Sequence, residues 1–468
     1  MKSSQQKKQS PILWIIVGMA IAFSLPYLMQ LWKPSPSGVV SLASEPDISL
    51  GDKVLLKTVG TADKQAGAEA FGAGDYQKAL MAFEASLSKQ RNDPEALIYF
   101  NNTTAKLKSQ ATAELAVSVP IGTNPNVAAE ILRGVAQAQD EINTKGGTAG
   151  RALVISIAND NNDIQKSKAI AQKLVARSSV LGVVGHNASN ASLSAAPLYQ
   201  ANQMVMVSPT SFTNQLSGFG SYVFRAIPPA SLFANHLANH VVTTAKLSNI
   251  AVCYHSKVAD STSFRDDFLG FVSNAGGNVL STPCDMSAPE FNPEVALQNM
   301  IDDKAAAIVI IPSIDELPKS MAIATANRNR LPLFGSSTTY TYQTLKEGQS
   351  AVQGMILPAV WHPQNNRDSI FPQAAKRYWG GEVSWRTATS YDATMALGQA
   401  LDQAKTRREL QQALRQSSFS AVGAGDAVRF DPQTGDRVLP IQLLQIKASQ
   451  PSRSGTGFDF MPLENPSK

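Results

Sequence analysis

The chain has 468 residues, 43% of them hydrophobic and 16% charged, with 30 glycines and 26 prolines. That length calls for two or three structural units, and that composition excludes a disordered chain, a collagen and a disulfide-dense mini-scaffold. The formal net charge is +5, part of it on Lys2, Lys7 and Lys8 ahead of any globular segment, and no basic stripe marks a nucleic-acid partner.

Residues 11–32, PILWIIVGMAIAFSLPYLMQLW, carry no charge and are long enough to cross about 30 Å of hydrocarbon. The run exceeds the roughly 7–15 apolar residues of a cleaved signal. Lys7 and Lys8 precede it, so the positive-inside rule reads residues 1–33 as a cytosolic stub and transmembrane anchor and exports the rest. A cleaved signal is the competing reading, with Ser41-Leu42-Ala43 resembling its cleavage site. The expected location is the inner (plasma) membrane, single-pass, with the main domain in the periplasm.

Residues 34–60 read as a linker, with weak strand character near Val54 to Val59. Residues 61–108 follow helical spacing through Gly67, Ala79, Leu80, Phe83 and Leu87, with a turn at Ala73-Gly74-Asp75. This stretch resembles one tetratricopeptide repeat, a hairpin of two helices. A single repeat cannot bury its apolar face alone, so it must pack on the main domain, a partner or another copy. It serves either as a helical spacer or as a docking module.

From about Leu115 the texture changes to alternating strands and helices. Strands are expected at Leu115–Val119, Leu153–Ile157, Val180–Val184, Met204–Val207, Ile250–Tyr254, Val279–Leu280, Ile308–Ile311 and Leu331–Phe334. Amphipathic stretches such as AAEILRGVAQAQDEIN separate most of them. The pattern predicts an α/β protein with parallel sheets covered on both faces, long enough for two lobes with a ligand crevice between them. Export also permits a disulfide between the only two cysteines, Cys253 and Cys284; two buried thiols are the alternative.

Three loops directly after strands are rich in hydroxyls: His186-Asn187-Ala188-Ser189, Ser208-Pro209-Thr210-Ser211-Phe212-Thr213, and Ser336-Ser337-Thr338-Thr339-Tyr340. Hydroxyls and the free amides of helix N-termini offer donors to an anion, and a carboxylate is the natural guest. Helix capping is the competing use of the same side chains. Tyr391, in the helix after Trp385-Arg386-Thr387, is a further candidate for the cleft, with packing as its alternative.

The ordered series VVGHNASNASLSAAPLYQANQMVMVSPTS, YVFRAIPP, FNPEVALQNM and GMILPAVWHP resembles the type I periplasmic binding proteins, and among them the leucine/isoleucine/valine-binding group of ABC transporters. WGGEVSWRTATSYDATMALGQAL, TRRELQQAL and FSAVGAGDAVRF look like a cyanobacterial version of that family. The resemblance covers residues 113–447. It implies two Rossmann-like lobes joined by three crossovers: lobe one near 113–235 and 355–420, lobe two near 236–354 and 421–447, with 448–468 a flexible tail. It also implies that Ser189, Ser208, Thr210, Ser211 and Thr213 hold the carboxylate of an amino acid. Asp260 stands where the family places a tyrosine, and Ser337 where it places the acid that meets the ligand ammonium. A neutral hydroxyl cannot replace that charge. Either Asp260 takes the role, or the ligand is not a standard α-amino acid.

No nucleophile elbow, phosphate loop or H-E-x-x-H motif is present, and His236 and His240 lack a third ligand for zinc. The sequence therefore points to a non-enzymatic protein with no cofactor and no metal. Its expected partners are an amino acid or related small carboxylate, an ABC permease and the inner membrane. A ligand-sensing receptor domain or a tetratricopeptide-type scaffold is the rival.

Overall fold

Buried runs of valine, isoleucine and leucine set the strands of two sheets in the computed structural model, which describes residues 46–463. The first sheet holds β1 (Ile48–Ser49), β2 (Thr112–Val119), β3 (Ala152–Asn159), β4 (Val180–Val184), β5 (Val205–Ser208) and β6 (Val223–Arg225) in the order β1-β3-β2-β4-β5-β6. The second holds β7 (Asn249–Tyr254), β8 (Asn278–Val279), β9 (Ala307–Ile311), β10 (Leu333–Gly335), β11 (Ile356–Ala359), β12 (Gln442–Ala448) and β13 (Phe458–Pro462) in the order β13-β12-β11-β10-β9-β7-β8. Helices cover both, giving two α/β lobes. The chain passes between them near 226–229, 360–369 and 438–441.

Both sheets are mixed rather than all parallel: β1 runs antiparallel to β3, and β12 is antiparallel to β11 and β13. Three expected boundaries shift. β11 joins the second sheet, so lobe one does not resume at residue 355. Residues 421–437 sit on lobe one instead of lobe two, because the fully buried Arg225 needs a carboxylate and finds Asp436 at 2.5 Å. Phe430 adds an edge contact to Phe224. The expected tail, 448–468, contains β13, whose Phe460 packs on Tyr340. β13 covers an edge that β12 would otherwise leave open to pairing with other chains.

The membrane anchor expected at 11–32 lies outside the described residues. Among the described residues no helix is long and apolar enough to cross a membrane. The expected strand character at 54–59 is absent. The amides of Leu55 and Leu56 instead donate to the Glu95 carboxylate at 2.7 and 3.2 Å.

Helices Ala62–Gly72 and Tyr76–Lys89 form a hairpin whose N-termini are capped by Thr61 and Asp75. Gly67 lets them close; a Cβ there would stand 2.7 Å from the Phe83 ring. A third helix, Pro94–Leu107, docks on lobe one. Its Asn102 accepts from the Ile155 amide at 3.0 Å and donates to the Ile155 carbonyl at 2.8 Å, acting as a strand neighbour for β3. Asn143 does the same at Leu153. These amides, with β1, cover the edge of the first sheet.

Helix Pro125–Thr144 lies along helix Trp385–Ala400. The approach requires Gly134, where a Cβ would fall 2.2 Å from the Thr387 carbonyl oxygen. In lobe two, Cys253 at the end of β7 is disulfide-bonded to Cys284, 31 positions later. Replacing both cysteines by alanine is expected to lower stability by about 3–4 kcal/mol, from the loop entropy returned to the unfolded chain. Urea denaturation of the two forms checks this, and an unchanged midpoint would contradict it.

Candidate functional site

Strand C-termini from both lobes converge on one cleft. On the lobe-one side, four buried side chains brace the loop after β4. Ser118 donates to Asp160 at 2.8 Å, Asp160 meets His186 Nδ1 at 2.6 Å, and His186 Nε2 meets the Tyr199 hydroxyl at 3.1 Å. Burial alone would raise the Asp160 carboxyl; the bond and charge of His186, with donors from Asn162 and Ser118, hold it below its ordinary value.

The loop bends through backbone carbonyls that face inward and need donors. The hydroxyls singled out from the sequence supply them. Ser208 Oγ donates to the His186 carbonyl at 2.8 Å and accepts from the Ser211 amide at 3.1 Å. Ser211 Oγ bonds to Ser192 Oγ at 2.7 Å. Ser189 Oγ accepts from the Thr213 amide at 3.3 Å, and Thr213 Oγ1 bonds to Ser263 Oγ of lobe two at 3.1 Å. Ser189, Ser208, Ser211 and Thr213 are all buried and do not line the cleft. Their hydrogen bonds tie together the loops that form it. Thr210 does line it, while donating to the Asn187 carbonyl at 2.9 Å.

Two further candidates have partners within the protein. Ser337 Oγ donates to the Pro358 carbonyl at 2.9 Å, and the next residue, Thr338, faces the cleft. Tyr391 donates to Glu141 at 2.7 Å and packs its ring on Phe371, away from the cleft. Helical packing claims it because Gly134 brings the two long helices close.

The cleft encloses about 550 Å³ of open space, its mouth included. Asp260 lines it, half-buried, with its carboxyl pushed up to about 6 by burial and by the nearby charge of Asp315; helix amides and His255 oppose the shift. Asp315 is likewise raised, mainly by burial. Facing these acids is a cation not singled out from the sequence. Arg386, 3% exposed, stacks over Trp385 at 4.6 Å and reaches the Tyr340 carbonyl at 3.4 Å. Phe212 and Trp385, 5.6 Å apart, form an apolar wall. A signal for Arg386 did exist: an arginine in the first turn of a helix opposes the helix dipole, so its placement calls for another reason.

The lobes touch across the mouth. Asn162 donates to Asp315 at 3.2 Å; Asn190 donates to the Lys257 carbonyl at 3.0 Å and accepts from the Ala259 amide at 3.1 Å. The arrangement is a shut cleft with opposite charges on its walls, complementary to a zwitterion. Among the described residues, no three His, Cys, Asp or Glu side chains are grouped to hold a metal ion.

A family model described as periplasmic binding protein matches residues 121–451. An amino acid binding protein of Pseudomonas aeruginosa is 26% identical over 173 residues, 35% of this chain and 46% of the relative, so the match spans about half of that relative's length. A Leu/Ile/Val-binding protein homolog of Brucella suis is 24% identical over 337 residues, 69% of this chain and 87% of the relative. Among solved structures, a leucine binding protein from Thermotoga maritima superposes with a TM-score of 0.66 at 19% identity, covering 76% of this chain and 99% of its own.

Proposed function

The chain belongs to the periplasmic binding protein family, and from that premise we propose that it is an extracytoplasmic solute receptor that closes on an amino acid or a related zwitterion and presents it to an ABC permease. The observation that carries this reading is that Arg386 lines one wall and Asp260 and Asp315 the other, inside a cleft shut by cross-lobe hydrogen bonds. Arg386, Thr210 and Thr338 orient the carboxylate, Asp260 meets the ammonium, and Phe212 and Trp385 contact the side chain. Ligand binds both walls only when the lobes are together, so it shifts a two-state equilibrium toward closure. The apolar run 11–32 and the lysines before it support tethering to the inner membrane. The close docking of helix Pro94–Leu107 on β3 favours a structural part of lobe one over a separate scaffold module.

Calorimetric titration of the full-length protein against amino acids, small carboxylates and ureas tests the reading. Binding of at least one zwitterion is expected, and silence across the panel would refute it. The pH profile gives a sharper check. A protonated Asp260 presents no charge to an ammonium, so affinity should fall as pH drops through about 6, approaching tenfold per unit. Asp260→Asn should weaken binding near pH 7.5 and flatten the profile. For the empty protein the sign is also defined. A carboxyl whose folded pKa stands above its unfolded value opposes folding once the unfolded chain ionises, so this penalty grows between about pH 4 and 6 and is complete above 6.

A further inference from the structure

A second recess lies on the other side of the Trp385–Arg386 wall, with about 750 Å³ of open space including its mouth. Lobe one contributes Glu130 and Glu382 to it; lobe two contributes Tyr340, Arg453 and Phe460. Tyr340 is 8% exposed, its ring held edge-on by Phe460 at 4.7 Å and stacked on His362 at 6.1 Å. Its hydroxyl opens into the recess and, among the described residues, has no hydrogen-bond partner.

Two carboxylates, Glu130 and Glu382, line the same recess. Burial first, then the charges of Glu382 and Glu130, keep the Tyr340 hydroxyl protonated far above its ordinary range. Neither acid is closed on its own partner. Glu130 meets Arg386 at 3.5 Å and Glu382 meets Arg453 at 3.6 Å, against about 2.8 Å for a full charge-assisted bond. Three acceptors thus line one recess with Asp459, against a single guanidinium, Arg453, and beside the apolar surfaces of Phe460 and Leu345. An anion placed here would meet both carboxylates.

We propose that this recess is a second ligand site, separate from the main cleft, for a protonated primary amine with an apolar or aromatic body. The ammonium has three N–H donors for Tyr340, Glu130 and Glu382, and its body lies on Phe460. A quaternary ammonium, lacking N–H, would not satisfy the Tyr340 oxygen.

The test is calorimetric titration of the full-length protein with 2-phenylethylammonium chloride and with 2-phenylethanol, which has the same shape and no charge. The amine should bind at least about tenfold more tightly than the alcohol. Glu382→Gln should weaken the amine about tenfold and Tyr340→Phe about fivefold. The Glu382 side chain is 48% exposed, so that substitution leaves the fold intact, which a thermal melt verifies. Equal affinity for amine and alcohol, or no heat with either, would overturn the proposal. So would amine binding that survives both substitutions and vanishes in Asp260→Asn, since that places the amine in the main cleft.

Discussion

Arg386→Met is expected to weaken binding of a zwitterionic amino acid by about 100-fold, ~2.8 kcal/mol, in calorimetric titration. The guanidinium is the one cation lining the main cleft among the described residues, and it is held in a fixed pose by Trp385 beneath and the Tyr340 carbonyl beside it. Its planar fork suits a carboxylate bidentately, so Arg386→Lys should recover only part of the loss. The comparison that isolates the role uses a ligand without a carboxylate. An amino acid amide should lose far less than the free acid in the methionine variant. Equal losses would mean that Arg386 acts by shaping the wall, through its contact with Glu130, rather than by meeting a charge.

Lys64→Met is expected to lower stability by about 3–5 kcal/mol in urea denaturation. Lys64 is 1% exposed, yet its ammonium meets Asp93 and Glu95, each at 2.9 Å, and donates to the Leu56 and Val59 carbonyls. Burial raises the Asp93 carboxyl, with Lys64 opposing the shift. Glu95 also anchors the Leu55 and Leu56 amides and accepts from Tyr99 at 3.0 Å. Removing the lysine leaves two carboxylates facing each other without water, and the segment from residue 53 to Gly72 loses its tie to helix Pro94–Leu107. Hydrogen exchange should show the loss of protection concentrated in that segment. The triple variant Lys64→Met, Asp93→Asn, Glu95→Gln removes the charge conflict and should recover much of the stability. A destabilisation below about 1 kcal/mol for the single variant would contradict the argument, since that is the range of an exposed pair.

Strand positions were legible because burial on both faces of a sheet demands unbroken apolar residues, and Val180–Val184 or Ala307–Ile311 can serve little else in an α/β lobe. β6 and β13 escaped that reading. β6 has three residues and β13 five, and each is a strand because its neighbour offers hydrogen bonds rather than because of its own composition.

The sequence by itself determined that this is an α/β protein of two lobes whose hydroxyl-rich loops follow buried strands, because hydrophobic periodicity and turn residues are local properties. Which hydroxyls face the cleft was decided only in three dimensions. Ser208 and Ser211 point at the carbonyls of a loop more than twenty residues away, and Ser337 at Pro358, while Thr210 and Thr338, in the same loops, turn to the cleft. Every buried carbonyl must find a donor, and that demand is settled by which backbone segments the fold brings together. The same holds for the charges. Asp260, Asp315 and Arg386 are far apart in the chain, and only closure of one lobe on the other sets them around a single space.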